Sequence, residues 1–158
     1  MKADHKPVPS EKKLNIGAEL WHTLSQTVHL QMKARSRFLN KWGLSPAQYD
    51  SLVAIRNAGK LSQKALADAL FVSKGNITQL IVRLERAGYV QREQEWKTKY
   101  VTLTDSGMAL CREIDPDQKQ FFFDQFQCLA RKQQKQIIEG LKHCHKEWKC
   151  EAGDTLSN

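Results

Sequence analysis

No stretch of this 158-residue chain is long and apolar enough to cross a membrane, and residues 1–13 hold no apolar run of the kind that opens a secretory signal. The expectation is a protein with no membrane partner that stays in the cytoplasm. Any enzyme's constellation is missing as well: there is no Gly-rich phosphate loop and no nucleophile elbow. Asp115 and Asp117 come nearest to a carboxylate pair, but they flank Pro116 and read as turn chemistry, not as acid and base. Neither Cys-x-x-Cys nor His-x-x-x-His spacing occurs, so no catalytic residue, no metal ligand set and no cofactor site is expected. Internal repeats and low-complexity blocks are absent too.

Acidic charge is in short supply. Seventeen Asp and Glu against 25 Lys and Arg leave a formal charge of +8, with a sequence pI near 9.4. That balance suits a partner with a phosphate backbone, although a basic protein without a nucleic-acid role would show it too. Position sharpens the reading. Lys33, Arg35, Arg37 and Lys41 cluster in one segment, and Lys74, Arg83, Arg86, Arg92, Lys97 and Lys99 fall in another.

The second segment, from Leu61 to Leu110, carries the most information. Leu61 and Ser62 open a helix with Ala65, Leu66, Ala69 and Leu70 at helical spacing, and Ser62 stands as its N-cap. Phe71 and Val72 form a short apolar link. Ser73 caps a second helix, whose buried stripe is Ile77, Leu80, Ile81 and Leu84 and whose stop is Gly88, a residue suited to left-handed backbone. Lys74, Asn76, Thr78, Gln79 and Arg83 remain for the outer face, residue types that hydrogen-bond base edges and phosphates in a major groove. From Tyr89 to Thr104 the period changes to two, with Val90, Arg92 and Gln94 on one side and Val101 and Leu103 on the other. A hairpin is expected there, with Glu95 to Thr98 as its turn. Ser62, Gln63, Ser73, Trp96, Lys97 and Lys99 join the outer-face residues as expected DNA contacts.

These residues resemble the MarR (multiple antibiotic resistance) family of bacterial regulators. The resemblance is carried by Leu61 to Leu70, Val72, Ser73, Ile77, Thr78, Leu80, Arg83, Leu84, Glu85, Gly88 and Val90, then by Leu103, Thr104 and Gly107. It extends outward through Leu44, Ser45, Pro46 and Tyr49 and through Pro116, and spans roughly Leu14 to Trp148. What it implies is a mainly α fold with a small β-hairpin wing, a winged helix-turn-helix with N- and C-terminal dimerisation helices. It also implies a homodimer that binds double-stranded DNA, and a small-molecule effector bound between the dimer helices and the DNA-binding lobe. Two departures stand out. The family commonly has Asp where this chain has Val82, together with an Asp and Arg pair in a wing about three residues longer. With both ends of that tie missing, the expectation is a hairpin unlocked from the recognition helix and mobile at its tip.

The flanks agree with a dimer. Leu20, Trp21, Leu24, Val28, Met32, Phe38 and Leu39 recur at helical spacing in a long first helix ending near Gly43, a stripe too long for the small module alone. Thr104 should cap a helix that Pro116 kinks, and Phe121, Phe122, Phe123 and Phe126 are followed by a last helix with Ile137, Ile138, Leu141 and Trp148. The expected organisation is a flexible arm at 1–13, dimerisation helices at 14–44 and 105–150, a DNA-binding lobe at 45–104 and a flexible tail at 151–158. Cys111, Cys128, Cys144 and Cys150 all fall in the last third, where helix-packing thiols are the reading and thiol redox sensing or metal response the alternatives. His22, His29, Trp42 and Tyr49 are the expected effector-pocket residues, with His22 and His29 otherwise half-buried at a dimer interface. The function expected is a homodimeric repressor of transcription, released from a pseudo-palindromic operator by a small molecule. A sequence-tolerant architectural DNA binder is the alternative from another class.

Overall fold

The computed structural model describes the backbone of residues 10–154 and the side chains of residues 10–148. The elements in chain order are α1 (Glu11–Leu39), a 3-10 turn (Asn40–Trp42), α2 (Pro46–Ala58), β1 (Lys60–Ser62), α3 (Gln63–Ala69), α4 (Lys74–Arg86), β2 (Val90–Glu95), β3 (Thr98–Leu103), α5 (Asp105–Phe126) and α6 (Arg131–Asp154). The chain is mainly helical with one small antiparallel sheet, the fold class expected. It divides into two compact units, the first ending at Cys111 and the second beginning at Arg112.

The starts of α2, α3 and α4 are set locally. Ser45 makes a full capping box with Gln48, Ser62 accepts from the Ala65 N–H at 3.1 Å, and Ser73 accepts from the Asn76 N–H at 3.3 Å. The ends of α3 and α4 share one motif. Gly88 N–H donates to Glu85 O and Tyr89 N–H to Leu84 O at the end of α4, while Phe71 N–H donates to Asp68 O and Val72 N–H to Ala67 O at the end of α3. The motif needs a left-handed residue, supplied by Gly88 at φ +79° in one case and by Phe71 at φ +53° in the other. Around these helices Leu39, Leu52, Ile55, Leu66, Ile77, Ile81, Leu84 and Val101 are fully buried and form the core. Leu80 is only half-buried, because the stripe narrows at the edge of the helix.

Three boundaries differ from expectation. Helix α1 begins at Glu11, so Glu11 to Lys13 belong to it and not to an arm, and the rest of the expected arm up to residue 9 lies outside the described residues. Helix α6 continues through Asp154, so the first half of the expected tail is helical; residues 155–158 lie outside the described residues. Lys60 to Ser62 form a strand before α3 starts, pairing antiparallel with β3 as Lys60 to Thr102, Leu61 to Val101 and Ser62 to Tyr100. The sheet order is therefore β1, β3, β2.

In the second unit α5 remains helical through Asp115, Pro116 and Asp117, so the expected turn chemistry does not form. Ile114 is fully buried on one face of the helix, and that burial offsets the single hydrogen bond to the Arg112 carbonyl that Pro116 cannot donate. The Gln134 side chain donates to the Phe126 and Leu129 carbonyls at 2.9 and 3.0 Å, closing the end of α5.

Candidate nucleic-acid interface

Helix α4 turns Ile77, Ile81 and Leu84 inward and leaves Lys74, Asn76, Gln79 and Arg83 exposed on the other side. Those four side chains of the expected set are free to meet a ligand. Thr78 is half-buried and its hydroxyl donates to the Lys74 carbonyl at 2.9 Å, so only its acceptor capacity faces outward. Ser62 and Ser73 spend their oxygens on the helix caps described above. Gln63 is half-buried, and its amide nitrogen is enclosed without a hydrogen-bond partner among the described residues.

The hairpin turn is only two residues long. Register runs from Val90 opposite Leu103 to Glu95 opposite Thr98, which leaves Trp96 and Lys97 at the tip. Trp96 is 96% exposed with φ +55°, and its carbonyl accepts from the Gln94 side-chain amide at 3.2 Å. Lys97 and Lys99 are exposed beside it.

The expectation of an unlocked hairpin is overturned. Arg92 of β2 pairs with Glu85 of α4, tying the strand directly to that helix, and this hydrogen bond holds the Arg92 pKa above its ordinary value. Lys60 of β1 reaches across β3 to Glu95 at 2.5 Å and Glu93 at 3.0 Å, with its ammonium 4.9 Å from the centre of the Tyr100 ring on the strand between. Hydrogen bonds to Glu95 and then Glu93 raise the Lys60 pKa. The tie is thus rebuilt with other residues than the pair whose absence the sequence shows. Arg92, a member of the second basic cluster, is paired with Glu85. The signal was present, since Glu85 lies in the outward-leaning last turn of α4 and Arg92 is the first cation after Gly88, but it needed the strand register to be read. A polar cleft of about 340 Å³ lined by Glu85, Arg92, Glu93, Gln94 and Lys99 separates hairpin from helix.

The first basic cluster also resolves into structural pairings. Arg35 makes a two-pronged bridge to Asp50 at 2.5 and 2.9 Å, joining α1 to α2, and Lys41 lies 5.1 and 5.6 Å from the ring centres of Phe38 and Trp42. Of the expected pocket residues, Tyr49 is buried in the core and Trp42 is half-buried edge-on to Phe38. His22 and His29 are exposed on α1, not half-buried within the chain; His29 borders a shallow, largely apolar hollow with Ser25, Gln26 and Leu30. The structure does not gather the four into one pocket within the chain. Cys111 is buried, Cys144 half-buried and Cys128 exposed, so packing within the chain does not account for Cys128, and Cys150 lies outside the described side chains. Among the described residues no three His, Cys, Asp or Glu side chains converge as metal ligands, and no helix is long and apolar enough to cross a membrane.

At the back of the hairpin, Thr104 joins wing and helix. Its N–H donates to Tyr89 O at 3.1 Å, its hydroxyl donates to Gly88 O at 2.6 Å, and the same oxygen accepts from Gly107 N–H at 3.1 Å. A Cβ at position 107 would sit 2.1 Å from Tyr89 O, which explains why glycine stands in this helix.

Comparison with known proteins bears on the same module. The sequence profile of the MarR family matches residues 42–95. An uncharacterised HTH-type transcriptional regulator of Bacillus cereus is 35% identical over 134 residues, covering 83% of this chain and 90% of its own length. Among solved structures, the fold is similar to Sco3205, a MarR family regulator from Streptomyces coelicolor in complex with DNA, with a TM-score of 0.78, 20% identity and 92% of each chain covered. It is also similar to Bordetella bronchiseptica BpsR, whose DNA binding is regulated by 6-hydroxynicotinic acid, with a TM-score of 0.75, 22% identity and coverage of 80% of this chain and 98% of that one. With a helix-turn-helix, a hairpin wing, the MarR profile match and 35% identity to an HTH-type transcriptional regulator over most of both chains, the chain belongs to the MarR family of transcriptional regulators.

Proposed function

We propose that this regulator is a cytoplasmic homodimeric repressor that grips a pseudo-palindromic operator through α4 and the wing and is released by a small molecule. The observation that carries the reading is the α4 face: Lys74, Asn76, Gln79 and Arg83 are exposed on a helix whose opposite side is anchored in the core. Asn and Gln amides pair bidentately with adenine, and Lys and Arg reach guanine or phosphate. A dimer is supported by apolar side chains left in water: Leu14, Leu20, Trp21 and Val28 on α1, and Phe123, Ile137, Leu141 and Trp148 on α5 and α6. The hollow beside His29 and the BpsR precedent support a small-molecule effector at the dimer helices.

Selection of bound sequences from random duplexes, followed by gel-shift competition, tests the proposal. Inverted half-sites centred about 10 base pairs apart are expected, with preference over random DNA of roughly a thousandfold or more. Gln79→Ala should cost about 1 to 3 kcal/mol on the operator and little on random duplex. Equal affinity for all sequences would replace the repressor by an architectural binder. A monomer by light scattering at micromolar concentration would remove the two-fold operator.

A further inference from the structure

The turn between α3 and α4 carries phenylalanine where local physics favours glycine. Phe71 is left-handed at φ +53° and 83% exposed, so its backbone is strained and its ring stands in water. Gly88 fills the same place at the end of α4 without strain. The conformation is nevertheless fixed: Phe71 N–H donates to Asp68 O at 3.3 Å, Val72 N–H donates to Ala67 O at 3.0 Å, and Val72 is half-buried. Strain kept in this way points to a role outside the fold. Away from the wing, the other exposed large apolar side chains among the described residues lie on α1, α5 and α6, the helices of the proposed dimer, whereas Phe71 belongs to the DNA-binding lobe.

What the ring meets is bounded by the chain. Three peptide links join Phe71 to Lys74, so their Cα atoms are at most about 11 Å apart, the length of roughly three base steps of duplex. Any duplex held by Lys74 and Asn76 therefore passes beside the turn. A phenyl ring forms no hydrogen bond with a base edge, and the apolar group that the major groove displays is the 5-methyl of thymine.

We propose that Phe71 packs on a thymine 5-methyl group in the major groove that α4 enters, and that it makes the protein select thymine at one position in each half-site. The inference rests on the DNA-binding reading above and adds a base contact from the turn, outside both α4 and the wing.

The test is selection of bound sequences from random duplexes with full-length wild type, Phe71→Gly and Phe71→Tyr. Each operator thymine is then replaced by deoxyuridine, which removes the methyl and leaves the base pairing intact. At one position per half-site, deoxyuridine should weaken wild-type binding about fourfold, or about fifteenfold when both half-sites carry it, the effect of burying one methyl in each. Phe71→Gly should bind the thymine operator about tenfold to thirtyfold more weakly, lose nothing further with deoxyuridine at that position, and no longer enrich thymine there. Its slope of log affinity against log salt should be unchanged, because an apolar contact releases no counterion. Phe71→Tyr, which keeps the ring face, should retain the deoxyuridine effect. If wild type binds the operator and no thymine responds to deoxyuridine, or the response survives in Phe71→Gly, the inference is overturned while the proposed function stands. An equal loss by Phe71→Gly on operator and random duplex would assign the ring to the DNA backbone, and a change of its oligomeric state would assign the ring to a protein contact; either result overturns the inference. If wild type binds no duplex at all, both readings fall.

Discussion

Gly107→Ala should destabilise this protein even though alanine is the better helix former. In an unobstructed helix the exchange stabilises by about 1 kcal/mol. At position 107 the new Cβ would lie 2.1 Å from Tyr89 O, so helix and wing base must part by about 1 Å to reach ordinary contact. The atoms that must move are the ones that hold the joint: Thr104 N–H to Tyr89 O at 3.1 Å, Thr104 hydroxyl to Gly88 O at 2.6 Å and Gly107 N–H to Thr104 Oγ1 at 3.1 Å. Overpacking of this kind costs about 1 to 3 kcal/mol, and each weakened hydrogen bond adds roughly 0.5 to 1.5. After subtracting the helical gain, a net loss of about 2 to 3 kcal/mol is expected. Urea unfolding at fixed protomer concentration should show a midpoint lower by about 1 to 2 M with little change in slope. Gly75→Ala is the control, because nothing lies within 4 Å of a Cβ there; it should stabilise by about 0.5 kcal/mol. Equal stabilisation by both substitutions would refute the close-approach argument.

Phe71→Gly should stabilise by about 0.5 to 1 kcal/mol in the same assay, since the side chain is 83% exposed and only the left-handed backbone strain is removed; a loss of stability would mean that the ring makes contacts in solution. For Glu85 and Arg92, each 34% exposed, a double-mutant cycle with Glu85→Gln and Arg92→Gln should give a coupling of about 0.5 to 1 kcal/mol after allowance for solvent screening, and additive effects would dissolve the proposed brace. Lys60 supplies a pH test with a definite sign. Its folded pKa lies above the ordinary 10.5, so its contribution is complete below that value and disappears as pH rises through the folded pKa. The stability difference between wild type and Lys60→Met should therefore be constant from about pH 8 to 10 and shrink above it; a difference that persists at higher pH would assign the effect to packing of the lysine stem on Tyr100.

Much of the fold was legible because its signals act over three or four residues. Ser62, Ser73 and Thr104 announce helices through bonds to N–H groups three positions on, and Gly88 ends α4 through its own backbone freedom. The outer face of α4 was legible for the same reason, as the complement of Ile77, Ile81 and Leu84 at helical spacing. Phe71 was not, because its position calls for glycine and only the observed hydrogen bonds to Asp68 and Ala67 show the left-handed turn that it occupies. Val82 and the short wing pointed away from a locked hairpin, an inference sound about the missing pair and wrong about the hairpin.

The sequence by itself therefore determined the helices, their caps, the hairpin period and the residues that α4 offers to a ligand, since each follows from neighbours along the chain. Only the tertiary structure decided that Lys60 to Ser62 would become a third strand and that Lys60 would meet Glu93 and Glu95 more than thirty residues away. It also decided that Arg92 would meet Glu85, and that Gly107 would lie against the Tyr89 carbonyl. Ion pairs and close approaches carry no period. They depend on which strand lies beside which and in what register, and that geometry exists only after the core has closed.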